Sequence, residues 1–189
     1  MTENAITLKK DEGAIVTLHE NLVRKTVLGF NHSGLRKKVS PEEMVDREIR
    51  ALQMLENVPG VQRFVRRKSD DTFYTKYIPG KSLRDFKRKL DHSYFDMLEE
   101  IVIKCHESGV YRIGQNRMDF IVGSNEIPRI TDFGNIIFKD DPIAKIPGVV
   151  FLAKRYNLLR VADLKKRYTT KEEELSSAEN SVRSPYNNL

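Results

Sequence analysis

Apolar positions recur every second residue near the N-terminus and at helical spacing further along, so the chain reads as strands first and helices later. Residues 5–8 and 14–18 are short β-branched runs separated by Asp11–Glu12–Gly13, a turn sequence. His19, Glu20 and Asn21 mark a second turn, and residues 22–28 return as a third strand. Along it Val23, Lys25 and Val27 share one face, while Leu22, Arg24, Thr26 and Leu28 share the other. Lys25 therefore sits between two valines on an inward side, unless the strand is an edge, where a lysine discourages aggregation.

Residues 29–40 hold glycine, asparagine, serine and basic side chains and read as a loop. Ser40 then opens a helix: it is the N-cap, Pro41 takes the first helical position, and Glu42 and Glu43 complement the macrodipole. Glu43 also completes a capping box with Ser40. Met44, Val45, Ile49, Leu52 and Leu55 give this helix its apolar stripe, which ends at Asn57–Val58–Pro59–Gly60. Glu48 lies beside the stripe and either finds a cationic partner or sits at the rim. Residues 61–65 and 72–78 are strand-like around the turn Ser69–Asp70–Asp71, and Pro79–Gly80 stops the second run. Residues 83–90 suggest a short basic helix. Residues 92–108 form a strong one, with Tyr94, Phe95, Leu98, Ile101, Val102 and Cys105 at helical spacing and Gly109 as its stop. His106, at its C-terminal end, reads as a packing or capping residue.

A loop over 109–119 leads to a hairpin, with strands at 120–122 and 128–131 and a turn at 123–126. It places two carboxylates, Asp119 and Asp132, at neighbouring strand ends, a pairing suited to a metal–phosphate site. Asp140–Asp141–Pro142 makes a turn, residues 146–152 are apolar but broken by Pro147–Gly148, and residues 154–167 form a basic amphipathic helix. The polar residues after Lys171 read as a helix fraying into a tail.

Composition narrows the class. With 39% hydrophobic and 32% charged residues and persistent periodicity, the chain is expected to be globular with a heavily solvated surface. It has no apolar run of transmembrane length, and its polar N-terminus is unlike a signal peptide. A single cysteine, Cys105, excludes an internal disulfide, fits a reducing cytoplasm, and has the apolar flanks of a core residue. The net charge of +6 is gathered in clusters at 36–38, 66–68, 84–89 and 165–167, which attract anions or form solvated faces. No zinc-ligand spacing, helix-turn-helix glycine pattern or aromatic-rich RNA motif accompanies them, which argues against nucleic acid as a partner.

The order of elements resembles the protein-kinase fold: a hairpin and lysine-bearing strand, a helix with a glutamate, two strands, a long helix, a loop, a hairpin, and Asp132–Phe133–Gly134. The stretches 47–61 and 77–83 look most like small bacterial kinases of the lipopolysaccharide core, of Kdo or heptose type, and RIO-like kinases. The resemblance covers roughly residues 10–165. It implies an α+β, bilobal, protein-kinase-like fold with a small β-rich N-lobe carrying one helix and a short, mainly helical C-lobe. As one domain, this divides into an N-lobe over about 1–78, a C-lobe over about 79–170 and a tail over 171–189.

It further implies ATP and Mg²⁺ as cofactors and Lys25, Glu48 and Asp132 as catalytic residues. Lys25, Phe133 and Gly134 would meet the nucleotide, while Asp119 and Asp132 would bind the metal. The implied activity is phosphoryl transfer to a hydroxyl of a sugar, as in lipopolysaccharide core, or of a protein serine or threonine. The acceptor would lie near residues 114–117, with Arg112 or Arg117 stabilising transferred charge. The expected protein is cytoplasmic and monomeric, with attachment to an acidic inner-membrane surface through the basic clusters as an extension.

Two features depart from the kinase pattern. No G-x-G-x-x-G loop is present; the candidate turns are 11–13 and 19–21. Counting back from Asp132, the metal-binding asparagine position holds Asp119 and the catalytic-base position holds Gly114, which cannot accept a proton. Three readings follow. The enzyme works without the usual base, because phosphoryl transfer rests mainly on positioning and electrostatics. Alternatively it is a pseudokinase, binding nucleotide, a membrane surface or a protein. In the third, the loop is shifted and Asp119 is the base, although its spacing to Asp132 is then too short.

Overall fold

The computed structural model describes residues 5–11, 13–29, 39–113 and 116–169. β1 (Ile6–Lys10), β2 (Ala14–His19) and β3 (Leu22–Val27) form consecutive antiparallel hairpins, as the period-two pattern predicts. β4 (Phe64–Ser69) and β5 (Thr72–Lys76) complete a five-stranded sheet in the order β1-β2-β3-β5-β4. Because β3 is paired on both sides, Lys25 is not an edge-strand lysine. Val23 and Val27 are buried beside it.

α1 (Pro41–Met54) packs against β3, β4 and β5. Its start follows the sequence reading, with the Glu43 N–H donating to Ser40 Oγ at 3.1 Å. Burial of Val45, Ala51 and Leu52 fixes which side of α1 faces the sheet. Glu48 is on that side and 3% exposed, which discards the rim alternative.

Below the sheet, α2 (His92–Glu107) packs along α3 (Val149–Tyr168). Two small sheets join them. β6 (Lys81–Ser82), β8 (Phe120–Val122) and β9 (Pro128–Ile130) form one, and β7 (Val110–Tyr111) and β10 (Ile137–Phe138) form the other. A parallel bridge from Val61 to Ile130 ties the upper part to the lower. Phe73, Phe95, Phe120, Phe133 and Phe138 are essentially inaccessible within one core cluster that runs through both parts. This is the α+β arrangement of the protein-kinase-like fold.

The short strands β7 and β10 arise in segments not read as strand, and three expected elements differ from the sequence reading. The strand placed at 61–65 instead runs Phe64–Ser69; it is a largely exposed edge, so Arg66, Arg67 and Lys68 show no alternation to read. The helix expected at 83–90 does not form. A single turn closes at its start, with the Asp85 and Phe86 N–H groups on the Ser82 carbonyl, and its ends are tied to other elements by Leu83 N–H on the Phe120 carbonyl and Leu90 N–H on the Tyr168 carbonyl. Arg84, Lys87 and Arg88 would also repel at helical spacing. α3 starts five residues earlier than expected, at Val149, because Gly148, at φ 83°, caps the helix instead of interrupting an apolar segment. The tail beyond Thr169 lies outside the described residues.

Cys105 is a core residue, its thiol pushed by burial up to about 12 and therefore unreactive at neutral pH. His106 is also buried, and its Nε2 lies 3.3 Å from Asn157 Oδ1, which accepts the Ile113 N–H at 3.2 Å. Asn157 Nδ2 donates in turn to the Ile113 carbonyl. One buried asparagine on α3 thus fixes both α2 and the chain at Ile113. Burial holds the His106 pKa below its usual value of 6.5, and Lys154 adds to this against the Asn157 hydrogen bond. A depressed histidine binds fewer protons folded than unfolded, so stability falls as pH drops below about 6.5. Urea unfolding at pH 7.5 and 5.5 should show that loss in the wild type and a smaller one in His106→Gln.

Candidate active site

Register brings the site together. Lys25 lies opposite Val16 on one side and Phe73 on the other, and directly paired residues project to the same face of a sheet. That face looks down into a cleft of about 280 Å³ between the sheet and the β6-β8-β9 layer. Val16, Val23, Thr75, Tyr77, Ile78 and Ile121 give it a mainly apolar back. Lys25, Glu48, Asp119 and Asp132 line it as well.

Lys25 Nζ lies 2.8 and 2.7 Å from the two Glu48 carboxylate oxygens and 3.3 Å from Asp132 Oδ1. Side-chain exposures of 17% for Lys25, 4% for Glu48 and 33% for Asp132 grade the trio from interior to cleft mouth. Burial alone would depress the Lys25 pKa, but the charges of Asp132 and Glu48 outweigh it and hold the ammonium above its ordinary range. Burial raises Glu48 despite the opposing charge of Lys25. Asp132 is held below the usual carboxylate range by Lys25, and the Gly134 N–H, 3.0 Å from Oδ1, adds to this.

Asp119 is 5% exposed and sits where the loop enters β8. Its Oδ2 accepts the Asn116 N–H at 2.7 Å, and its carbonyl accepts the Thr131 N–H at 3.0 Å. The backbone of Asp119 is therefore tied to the residue immediately before Asp132. The hairpin delivers both carboxylates to one cleft, as their positions at neighbouring strand ends imply.

A latch outside the cleft holds α1 in place. Arg47 makes a two-pronged contact with Asp141, at 3.0 and 2.7 Å, and also donates to the Ile136 carbonyl at 3.1 Å. Arg50 donates to Asp140, and both guanidinium groups lie over the Phe138 ring at 5.0 and 4.2 Å. The helix that carries Glu48 is thereby fastened to the chain that follows Asp132.

Other expected site residues lie elsewhere. Phe133 is fully buried in the core, and its backbone N–H supports Glu48, so it does not line the cleft. Gly134 acts through its N–H on Asp132. Arg117 donates to the Tyr168 hydroxyl at 3.1 Å and Arg112 adopts φ 60°; neither lines the cleft. Gly114 lies outside the described residues. Conversely, Ser82, Arg84 and Asp85 line the cleft but are not singled out by the sequence, because the stretch from 83 reads as helix. The Ser82-x-x-Asp85 spacing signals a local turn, with Ser82 Oγ donating to Asp85 Oδ2 at 2.6 Å.

Asp119 and Asp132 are a donor pair that could hold a magnesium ion, which is commonly bound by one or two carboxylates plus phosphate oxygens. Among the described residues no group of three or more histidine, cysteine or acidic side chains could hold a metal unaided. The basic cluster at 36–38 lies outside the described residues, and the other three are partly neutralised, by Arg67–Asp46, Arg84–Asp85, Arg88–Glu126 and Lys165–Asp96 pairs. No helix among the described residues is long and apolar enough to cross a membrane.

No protein-family model and no curated protein matches the sequence. Solved structures do match the fold. Rio2 kinase from Chaetomium thermophilum, in an ADP/Mg²⁺-phosphoaspartate complex, is 14% identical with a TM-score of 0.61, covering 86% of this chain and 56% of that one. A second Rio2 kinase structure from the same organism is 13% identical, with a TM-score of 0.62 over 88% and 59% of the two chains. A chain of the CAK complex from Chaetomium thermophilum, bound to ATP-gamma-S, is 18% identical with a TM-score of 0.54 over 72% and 47%. The chain therefore spans a little over half the length of the Rio2 chains it matches.

Proposed function

We propose that the cleft binds ATP with Mg²⁺ and that the protein is an atypical phosphotransferase acting on an alcohol group. The convergence of Lys25, Glu48 and Asp132 carries this reading. It unites residues distant in sequence and keeps an ammonium charged within a mainly apolar cleft. Lys25, oriented by Glu48, holds the phosphates. Asp119 and Asp132 hold Mg²⁺, which when bound neutralises charge on the transferring group. The apolar back of the cleft takes the base. The acceptor is assigned to the neighbourhood of residues 114–117 by the resemblance alone, and resemblance to lipopolysaccharide-core kinases makes a sugar hydroxyl the first candidate, with a protein serine or threonine next.

One observation favours a slower or non-catalytic version of the same site. Residues 109–118 contain no carboxylate, so with Asp119 assigned to the metal no acid of the 109–119 segment takes the acceptor's proton. Positioning and charge stabilisation remain available, whereas general-base assistance from that segment, worth about 10²–10⁴-fold, is missing. A thermal-shift titration tests the site: ATP with Mg²⁺ should raise the wild-type melting temperature by several degrees, and Asp132→Ala should remove the Mg²⁺-dependent part. An equal shift in both would sink the nucleotide reading. Transfer of labelled γ-phosphate, compared with Lys25→Ala, then separates an enzyme from a pseudokinase.

A further inference from the structure

The sheet carries a second lysine on the cleft side. β1 and β2 pair in one register through Thr7↔Thr17 and in another from Lys9↔Val16, which leaves Leu8 as an extra residue in β1. This is a β-bulge, and bulges re-aim the side chains that follow them. Without it Leu8, and not Lys9, would oppose Val16. With it, Lys9, Val16, Lys25 and Phe73 form one cross-strand row, and all four line the cleft.

The hairpin turn beside Lys9 explains why a side chain is needed there. In a glycine-rich loop, backbone N–H groups point at phosphate oxygens. Here the Gly13 and Ala14 N–H groups both donate to Asp11 Oδ1, at 3.0 and 2.8 Å. Those two donors are spent on the chain's own carboxylate. The same carboxylate holds Lys9 Nζ at 2.9 Å through its other oxygen, with the Lys9 side chain 35% exposed at the cleft rim.

We infer that Lys9, set into the cleft by the β1 bulge, is a second polyphosphate-binding cation that replaces the backbone donors of a glycine-rich loop. The inference rests on the nucleotide reading above. On binding, the ammonium exchanges its contact with Asp11 for one with the outer phosphates, while Lys25 keeps Glu48. The chemistry recognised is a polyphosphate tail and not the base, so selectivity follows charge.

Calorimetric titration of the full chain with ATP·Mg²⁺ and with adenosine tests this in wild type, Lys9→Gln, Lys9→Arg and Lys10→Gln. Lys10 is exposed and does not line the cleft. Lys9→Gln should weaken ATP·Mg²⁺ by about tenfold, as expected for losing one charge-assisted hydrogen bond at a partly exposed site. Adenosine should bind Lys9→Gln as it binds wild type, Lys9→Arg should restore most of the ATP affinity, and Lys10→Gln should match wild type. Equal ATP affinity in Lys9→Gln and wild type would overturn the role of Lys9 and leave the nucleotide site standing. A parallel loss of adenosine would overturn it too, by showing a general disturbance of the cleft. Absence of ATP binding in the wild type would bring down the site reading and this inference together.

Discussion

Lys25→Met is expected to cost about 3–5 kcal/mol of stability, the usual penalty for removing one partner of a buried ion pair, and to abolish ATP binding. The large structural cost follows from Glu48, which is 4% exposed on its side chain and receives two contacts from Lys25. Methionine fills similar space but leaves a carboxylate with little water and less compensating charge. Folded Glu48 already has a raised pKa from burial, and losing Lys25 raises it further. An acid with a raised folded pKa favours folding below its unfolded value, near 4.5, and loses that contribution as pH climbs. The destabilisation in Lys25→Met should therefore be smaller at pH 5 than at pH 8. Denaturant unfolding of Lys25→Met, Glu48→Leu and the double variant closes a thermodynamic cycle. The double variant should recover most of the stability while still failing to bind ATP. Additive losses would show that the pair is not energetically coupled.

Gly80→Ala should cost about 3 kcal/mol, with strain at an unusual φ and overpacking both contributing. Gly80 has φ 153° and stands where the chain leaves β5 and turns into β6. An added Cβ would collide with the Val122 carbonyl oxygen and lie 2.7 Å from Ile121 Cγ2. The first contact is backbone, so it cannot be relieved by rotating a side chain. Relief requires β6 to part from β8, which opens the cleft wall that Ile121 and Ser82 share. Gly134→Ala is the informative contrast. Its added Cβ would meet Asp132 Oδ1 at 3.4 Å and Glu48 Oε2 at 3.9 Å, which are ordinary contacts. Urea midpoints should thus fall far more for Gly80→Ala than for Gly134→Ala, although only Gly134 belongs to a recognised tripeptide. Equal midpoints would refute the steric account.

The strongly signalled elements are those whose local chemistry and burial agree. Ser40–Pro41–Glu42–Glu43 caps a helix wherever it is placed, and the spacing from Tyr94 to Cys105 buries one helical face. The 120–131 hairpin and its two carboxylates follow from strand alternation and a turn. Illegible elements lack a local signal. β4 is basic and exposed, and residues 83–90 are set by backbone contacts to Phe120 and Tyr168 that a window of sequence does not contain.

The site divides in the same way. Sequence alone names Lys25, Glu48, Asp119 and Asp132 as chemistry-bearing residues and leaves a bland alternative beside Lys25 and Glu48. It also shows that the loop before Asp119 lacks an acid. Tertiary structure decides that β3 is central, that Glu48 is buried against Lys25, and that Phe133 belongs to the core. It alone places Lys9 in the row of Lys25, because a bulge changes which residues face each other without changing composition. The physical reason is range. Caps, turns and periodicity act over a few residues, whereas the pairing of Lys25 with Asp132 spans 107 positions and exists only once sheet, helix and hairpin have closed around one cleft.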